Sequence, residues 1–156
     1  MRTCKIMCKT FSKYLAPLAL ALGLAAQSPV PKTVVKLLSA RSWKTAAGVR
    51  LLLRFQIAPG YHVNAHHPSF DYLIPTAVKL LPAKGERLLK QQWPRPEQKK
   101  LSFMNAPLAV YSGVFPLRLL LRAPRGAVLR GELDYQACND RLCLRPARLN
   151  FHARLK

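Results

Sequence analysis

From Thr33 onward the chain is dominated by apolar and polar residues alternating with a period of two. In "GVRLLLRFQIAPG", Val49, Leu51, Leu53, Phe55 and Ile57 alternate with Arg50, Leu52, Arg54 and Gln56. This is the pattern of a strand with one buried face, because successive side chains of an extended chain point to opposite sides. Pro59 and Gly60 then turn the chain. "TVVKLLSA" reads as a first strand, and "PTAVKLLP" and "ERLLKQQWP" as two further short strands with "AKG" turning between them. "GVFPLRLLLRA" resumes strand character, with Pro116 predicting an edge or a bulge because proline cannot donate to a ladder. The last two strands are the clearest. Leu129, Leu133 and Tyr135 alternate with Arg130, Glu132 and Asp134, and Ala147, Leu149, Phe151, Ala153 and Leu155 alternate with Arg148, Asn150, His152, Arg154 and Lys156. Cys138 is expected to close one of these strands and Cys143 to open the next.

No segment shows a convincing helical period, and 13 prolines in 156 residues suit short strands separated by turns. Seven or so strands in one domain predict an all-β chain, an immunoglobulin-like β-sandwich. Between Trp93 and Tyr111 lies "PRPEQKKLSFMNAPLAVY", with little periodicity until its end. Irregular segments of that length in compact domains are often functional.

The first 26 residues do not belong to this pattern. Arg2, Lys5, Lys9 and Lys13 precede the apolar "YLAPLALALGLAA", and Gly23 and Ala25 flank Leu24 as a small-x-small cleavage site does, so residues 1–26 read as a secretory signal. The apolar stretch contains Pro17 and is shorter than the roughly 20 residues that span a bilayer, which favours cleavage over an uncleaved anchor. "QSPVPK" (27–32) reads as a connector and 33–156 as the folded domain. The expected location is the periplasm.

Charge adds a second constraint. Lys plus Arg number 26 against 6 Asp plus Glu, a formal net charge of +20. Such a chain is drawn to anionic surfaces. Its basic residues are scattered through the strand pattern, and export makes nucleic acid an improbable client, so none is expected. Contact with acidic lipid headgroups or an acidic protein is the better reading, with a solvated sheet face as the bland one.

With Cys4 and Cys8 in the signal, only Cys138 and Cys143 remain, in "YQACNDRLCLRP". They could form a staple, half of a metal site, or a redox-active dithiol. A disulfide between them closes a ring so small that chain entropy supplies only about 2 kcal/mol. A zinc site needs two further ligands, and His62, His66 and His67 are the only other residues of the right type in quantity. The spacing favours a redox pair. Arg141 and Arg145 would favour a thiolate, and Leu142 and Leu144 would oppose it if buried.

"YQACNDRLCLRP", taken with "APGYHVNAHHPSFDYLIPTAVKL" and "LSFMNAPLAVYSG", closely resembles the N-terminal periplasmic domain of the thiol:disulfide interchange protein DsbD family, from about residue 33 to the end. The resemblance implies an immunoglobulin-like sandwich with a redox-active pair between its last strands and no cofactor or metal. It implies that reducing equivalents pass to thioredoxin-fold partners, among them disulfide isomerases and cytochrome c maturation proteins. Cys143 would make the mixed disulfide and Cys138 resolve it. An aromatic residue of a cap loop shields the pair in that family, which by position is Phe103, with Met104 the near alternative. Ser102 and Asn105 stand around Phe103 where some members carry carboxylates, leaving Asp140 the nearest acid in sequence, with Arg141 and Tyr135 also placed to tune the pair. No membrane electron-transfer segment or thioredoxin-like domain follows, so a separate membrane electron donor is expected.

The competing expectation is a non-enzymatic immunoglobulin-like binding module with a structural disulfide and basic docking faces. Other residues read more plainly. Tyr61, His62 and Asn64 suit a turn leading into a strand, His66 and His67 an exposed turn, and Tyr111 and Tyr135 the sheet core or cap contacts. Trp43 and Trp93 read as packing residues.

Overall fold

The structure, a computed structural model, describes residues 33–81, 85–101 and 104–156. The signal, the connector and Phe103 lie outside the described residues. Among those described, every regular element is a strand: β1 (Val35–Thr45), β2 (Gly48–Ile57), β3 (His62–Asn64), β4 (Ala77–Leu81), β5 (Arg87–Gln92), β6 (Glu97–Lys99), β7 (Leu108–Ser112), β8 (Val114–Arg122), β9 (Val128–Tyr135), β10 (Ala137–Cys138) and β11 (Ala147–Arg154). They form three antiparallel sheets, in the orders β1-β2-β8-β5, β10-β3-β7-β6 and β11-β9-β4. The inward faces of all three meet in one core, and the fold is an immunoglobulin-like β-sandwich. The β1-β2-β8-β5 and β11-β9-β4 sheets form the two layers, and the β10-β3-β7-β6 sheet continues from both, where β2 and β8 give way to β3 and β7 and where β9 runs into β10.

The period of two in β2 is realised directly: Leu51, Leu53, Phe55 and Ile57 are buried, while Arg50 and Arg54 face water. Phe55 is the centre of the core. Its ring lies 5.4 Å from Phe115 and 5.8 Å, edge-on, from Phe151. Phe115 continues to Tyr111 at 5.1 Å and Tyr111 to Trp93 at 6.1 Å, so a column of rings links the sandwich centre to the sheet that carries β3 and β7. Such ring pairs add to their own area burial. On the other flank, Ser42 Oγ donates to the Arg154 carbonyl at 3.1 Å and accepts from the Lys156 amide at 3.0 Å, closing β1 against the end of β11.

Several sequence expectations change here. β4 and β5 do not pair with each other: β4 adds to β9 and β5 to β8, so the chain changes layer between them. Pro116 lies in β8 opposite Arg54, where β5 no longer reaches, so its missing donor costs no ladder bond on that side. Cys138 does not close β9. The chain leaves the β11-β9-β4 sheet after Tyr135, and the two-residue β10 pairs with β3 instead, while β11 opens at Ala147 and not at Cys143. Trp43 is not a packing residue but stands 44% exposed on β1.

Gly131 on β9 lies under the Phe151 ring. A Cβ there would sit 2.5 Å from Phe151 Cζ, inside contact distance on the buried side. Gly131→Ala is therefore expected to cost about 1–3 kcal/mol, the usual penalty for overpacking. A reduced denaturant midpoint with an unchanged slope is the expected readout, and an unchanged midpoint would contradict the close approach.

Candidate functional site

The sheet β10-β3-β7-β6 has two faces, and strand alternation assigns each residue to one of them. Ala137, Val63, Tyr111 and Ala109 face the main core. Their neighbours Cys138, His62, Asn64, Leu108 and Val110 therefore face the other way, away from the sandwich centre. The register places Cys138 beside His62, His62 beside Ser112, and Asn64 beside Val110.

This outward face is covered, not solvated. Leu101, Leu108 and Val110 form a second, smaller apolar cluster, with Phe70, Leu73 and Met104 packed against it. Loop 65–76 is held over it by polar contacts: Asn64 Nδ2 donates to the Ile74 carbonyl at 2.9 Å, and Thr76 Oγ1 to the Asn64 carbonyl at 2.6 Å. The Ser69 hydroxyl accepts the Ala109 amide at 2.8 Å. His66 is not an exposed turn residue, for its ring stacks on Trp93 at 4.5 Å and Nδ1 lies 3.0 Å from the Thr76 carbonyl. Met104 packs on the same cluster from the connection before β7.

Cys138 and Cys143 form a disulfide across the mouth of a tight hairpin. The Asn139 amide donates to the Leu142 carbonyl at 2.9 Å and the Leu144 amide to the Ala137 carbonyl at 2.8 Å, so these bonds flank the cysteines. The cysteines therefore occupy a non-hydrogen-bonded pair, the position in an antiparallel ladder where facing Cα atoms come closest. Here they are 3.9 Å apart. The turn is fixed by Asn139, whose Oδ1 accepts the amides of Arg141 and Leu142, each at 2.9 Å. Short asparagine side chains stabilise turns in this way. The two sulfurs differ in setting: Cys138 is 1% exposed, and Cys143 lies in the exposed part of the hairpin.

The charged groups at the pair are Asp140, Lys99 and His62. Lys99 Nζ bonds Asp140 at 3.0 Å and lies 3.5 Å from His62 Nδ1. An ammonium only donates, so Nδ1 accepts and the imidazole proton sits on Nε2, a buried atom with no hydrogen-bond partner among the described residues. Burial holds the His62 pKa below 6.5, the Lys99 charge lowers it further, and Asp140 opposes both.

Asp140 and Arg141 both lie exposed in the turn between the cysteines, Asp140 paired with Lys99. Tyr135 lies in the main core, where burial raises its pKa and the Val35 backbone opposes that rise. His62 and Lys99 are the neighbours that sequence reasoning missed. β3 and β6 are three residues each, too short to show a period, and Lys99 is one basic residue among many. Among the described residues no three His, Cys, Asp or Glu side chains gather as metal ligands would.

The family described as thiol:disulfide interchange protein DsbD, N-terminal, matches residues 27–153. The chain belongs to this family. Three solved structures are similar to it. The N-terminal periplasmic domain of ScsB from Proteus mirabilis is 20% identical over 72% of this chain and 43% of its own length, with a TM-score of 0.51. The complex between the DsbD and PilB N-terminal domains from Neisseria meningitidis contains a chain 20% identical over 80% of this chain and 85% of its own, with a TM-score of 0.50. The reduced DsbD N-terminal domain of Neisseria meningitidis is 22% identical over 74% and 82%, with a TM-score of 0.47. At these identities the likeness is one of fold. No curated protein matches the chain.

The His62 environment sets a pH dependence in this DsbD-type domain. The unfolded chain takes up the imidazole proton near pH 6.5, whereas the folded chain takes it up only at a lower pH. Between those values the unfolded state binds more protons, so stability rises with pH and is lost as pH falls below about 6.5. The urea midpoint of the oxidised protein should fall over that acid range, and His62→Gln should flatten the slope. An unchanged slope in the variant would rule out His62 as its source.

Proposed function

We propose that this domain is an exported thiol:disulfide exchange module that passes reducing equivalents to partner proteins through Cys138 and Cys143. One observation carries the reading: the disulfide bridges the tip of a hairpin, with one sulfur buried and the other in exposed chain. In this position it ties together segments that the hairpin bonds already hold, so it adds little as a staple.

The accessible sulfur is Cys143, and it is the one we assign to the mixed disulfide. A donor thiolate attacks Cys143 Sγ, a new S–S bond forms, and the Cys138–Cys143 bond breaks with its electron pair leaving on Cys138. A second donor thiolate then takes the donor's sulfur from Cys143. The domain is left as a dithiol and the donor as a disulfide. In the forward direction the Cys143 thiolate attacks a partner's disulfide. Cys138 then resolves the mixed disulfide, releasing the reduced partner and restoring the Cys138–Cys143 bond. The covering segment with Met104, and Phe103 by position, limits access to partners that dock there.

The partners of this reading are thioredoxin-fold proteins, with a separate membrane electron donor upstream, in the periplasm. The membership of the family and the Neisseria complex with a PilB domain support it. The basic excess supports contact with an anionic surface as well.

Cys138→Ala should accumulate mixed disulfides with thioredoxin-fold proteins through Cys143, which Cys143→Ala should not. The reduction potential of the pair should lie above about −300 mV, the range of exchange-active bonds. A lower potential, together with no trapped partner, would instead mark the disulfide as structural and the domain as a binding module.

A further inference from the structure

The outer face of the β1-β2-β8-β5 sheet is strongly basic, and the thiol chemistry does not use it. These four strands contain no aspartate or glutamate. Alternation and register turn Arg41, Arg50, Arg54, Lys90, Arg118 and Arg122 outward, on the side opposite the buried leucines of β2 and β8. The acids lie elsewhere. Glu132 and Asp134 pair with Arg148 on the other layer, Asp140 pairs with Lys99, and Glu86 lines a groove with Leu80, Leu121 and Leu129 between the layers.

The register spaces these charges. Arg50 faces Leu120 and Trp43, Leu52 faces Arg118 and Arg41, and Lys90 faces Leu120. Along the middle of this face cations therefore alternate with apolar groups, while at one end Arg87 faces Arg122. Trp43, Arg50, Lys90, Gln92, Arg118 and Leu120 line a shallow groove of about 280 Å³ on it. An arginine fork matches phosphate oxygens. An exposed tryptophan among cations suits the boundary between headgroups and acyl chains.

We propose that this face docks the domain on an anionic phospholipid bilayer. A membrane fits better than an acidic protein, because the face carries one sign of charge across its strands and offers no acid to meet the basic residues of a protein surface. The inference is independent of the exchange reading, since it concerns binding by the oxidised protein.

The test uses the purified domain with vesicles of phosphatidylcholine alone and of phosphatidylcholine with phosphatidylglycerol, in a sedimentation assay. Binding is expected only to the anionic vesicles, weakening with salt. Arg50→Gln with Arg118→Gln should weaken it about thirtyfold, roughly fivefold for each basic residue lost from the surface. Lys79→Gln with Arg130→Gln removes the same charge from the other layer and should leave binding nearly intact. The vesicle-induced blue shift in tryptophan emission should vanish in Trp43→Phe. No binding, binding to both vesicle types alike, or equal loss in the two double variants would overturn the proposal. So would capture by poly-glutamate with the same residue dependence and no affinity for vesicles, which would assign the face to an acidic protein.

Discussion

The change of sheet at Gln136 is the constraint on which the site depends. Tyr135 ends one ladder with its ring in the main core, and Ala137 begins another with its methyl group in that same core. Alternation then leaves Cys138 no choice but the outward face, and a slip of one residue would bury its sulfur in the sandwich centre. Gln136 helps to hold this register, since its Nε2 donates to the Leu144 carbonyl at 3.2 Å across the root of the hairpin. The exposed Cys143 follows from that placement, because the Asn139 turn carries the chain back along the outside of β10.

An outward face that holds His62, Asn64 and Cys138 in burial needs a cover of its own, and the second apolar cluster provides it. Phe70, Leu73 and Met104 come from two separate connections and share the same small patch of Leu101, Leu108 and Val110. A cluster of this size buries far less surface than the main core, and its covering segments therefore belong to the part of the fold that opens most readily. The column of rings from Phe55 to Trp93 and His66 anchors the same region to the centre, so the sheet under the cysteines is held firmly while its cover is held lightly.

The long strands were legible in the sequence because one buried face imposes a period of two, as in β2, β9 and β11. The sandwich followed from their number and spacing. The strands of the site were not legible. β3, β6 and β10 are two or three residues long, and their pairing is set by contacts distant in sequence that no local pattern encodes. Cys138 and Cys143 stood out because cysteine is rare here, and the surrounding segment carried a family resemblance. His62 did not stand out, since its significance comes from a cross-strand neighbour more than seventy positions away. Trp43 was misplaced for a related reason: a tryptophan within a strand is ordinarily buried, and only the bulge between Leu37 and Ser39 shifts the alternation that puts this one outside.

Unpaired like charges on a sheet oppose folding, and directly facing ones do so most. Along the middle of the β2–β8 ladder the register avoids that arrangement by setting each arginine against leucine or proline. The cost is thereby lowered but not removed, since these four strands carry no acid, while Glu132 and Asp134 pair with Arg148 and Asp140 with Lys99. Asp140, inside the cysteine hairpin, meets the Lys99 charge directly. An unbalanced charge lies instead on the outer face of the β1-β2-β8-β5 sheet, where no acid stands on any of the four strands. A charged surface of that kind orients a molecule before contact, turning this face first toward an anion.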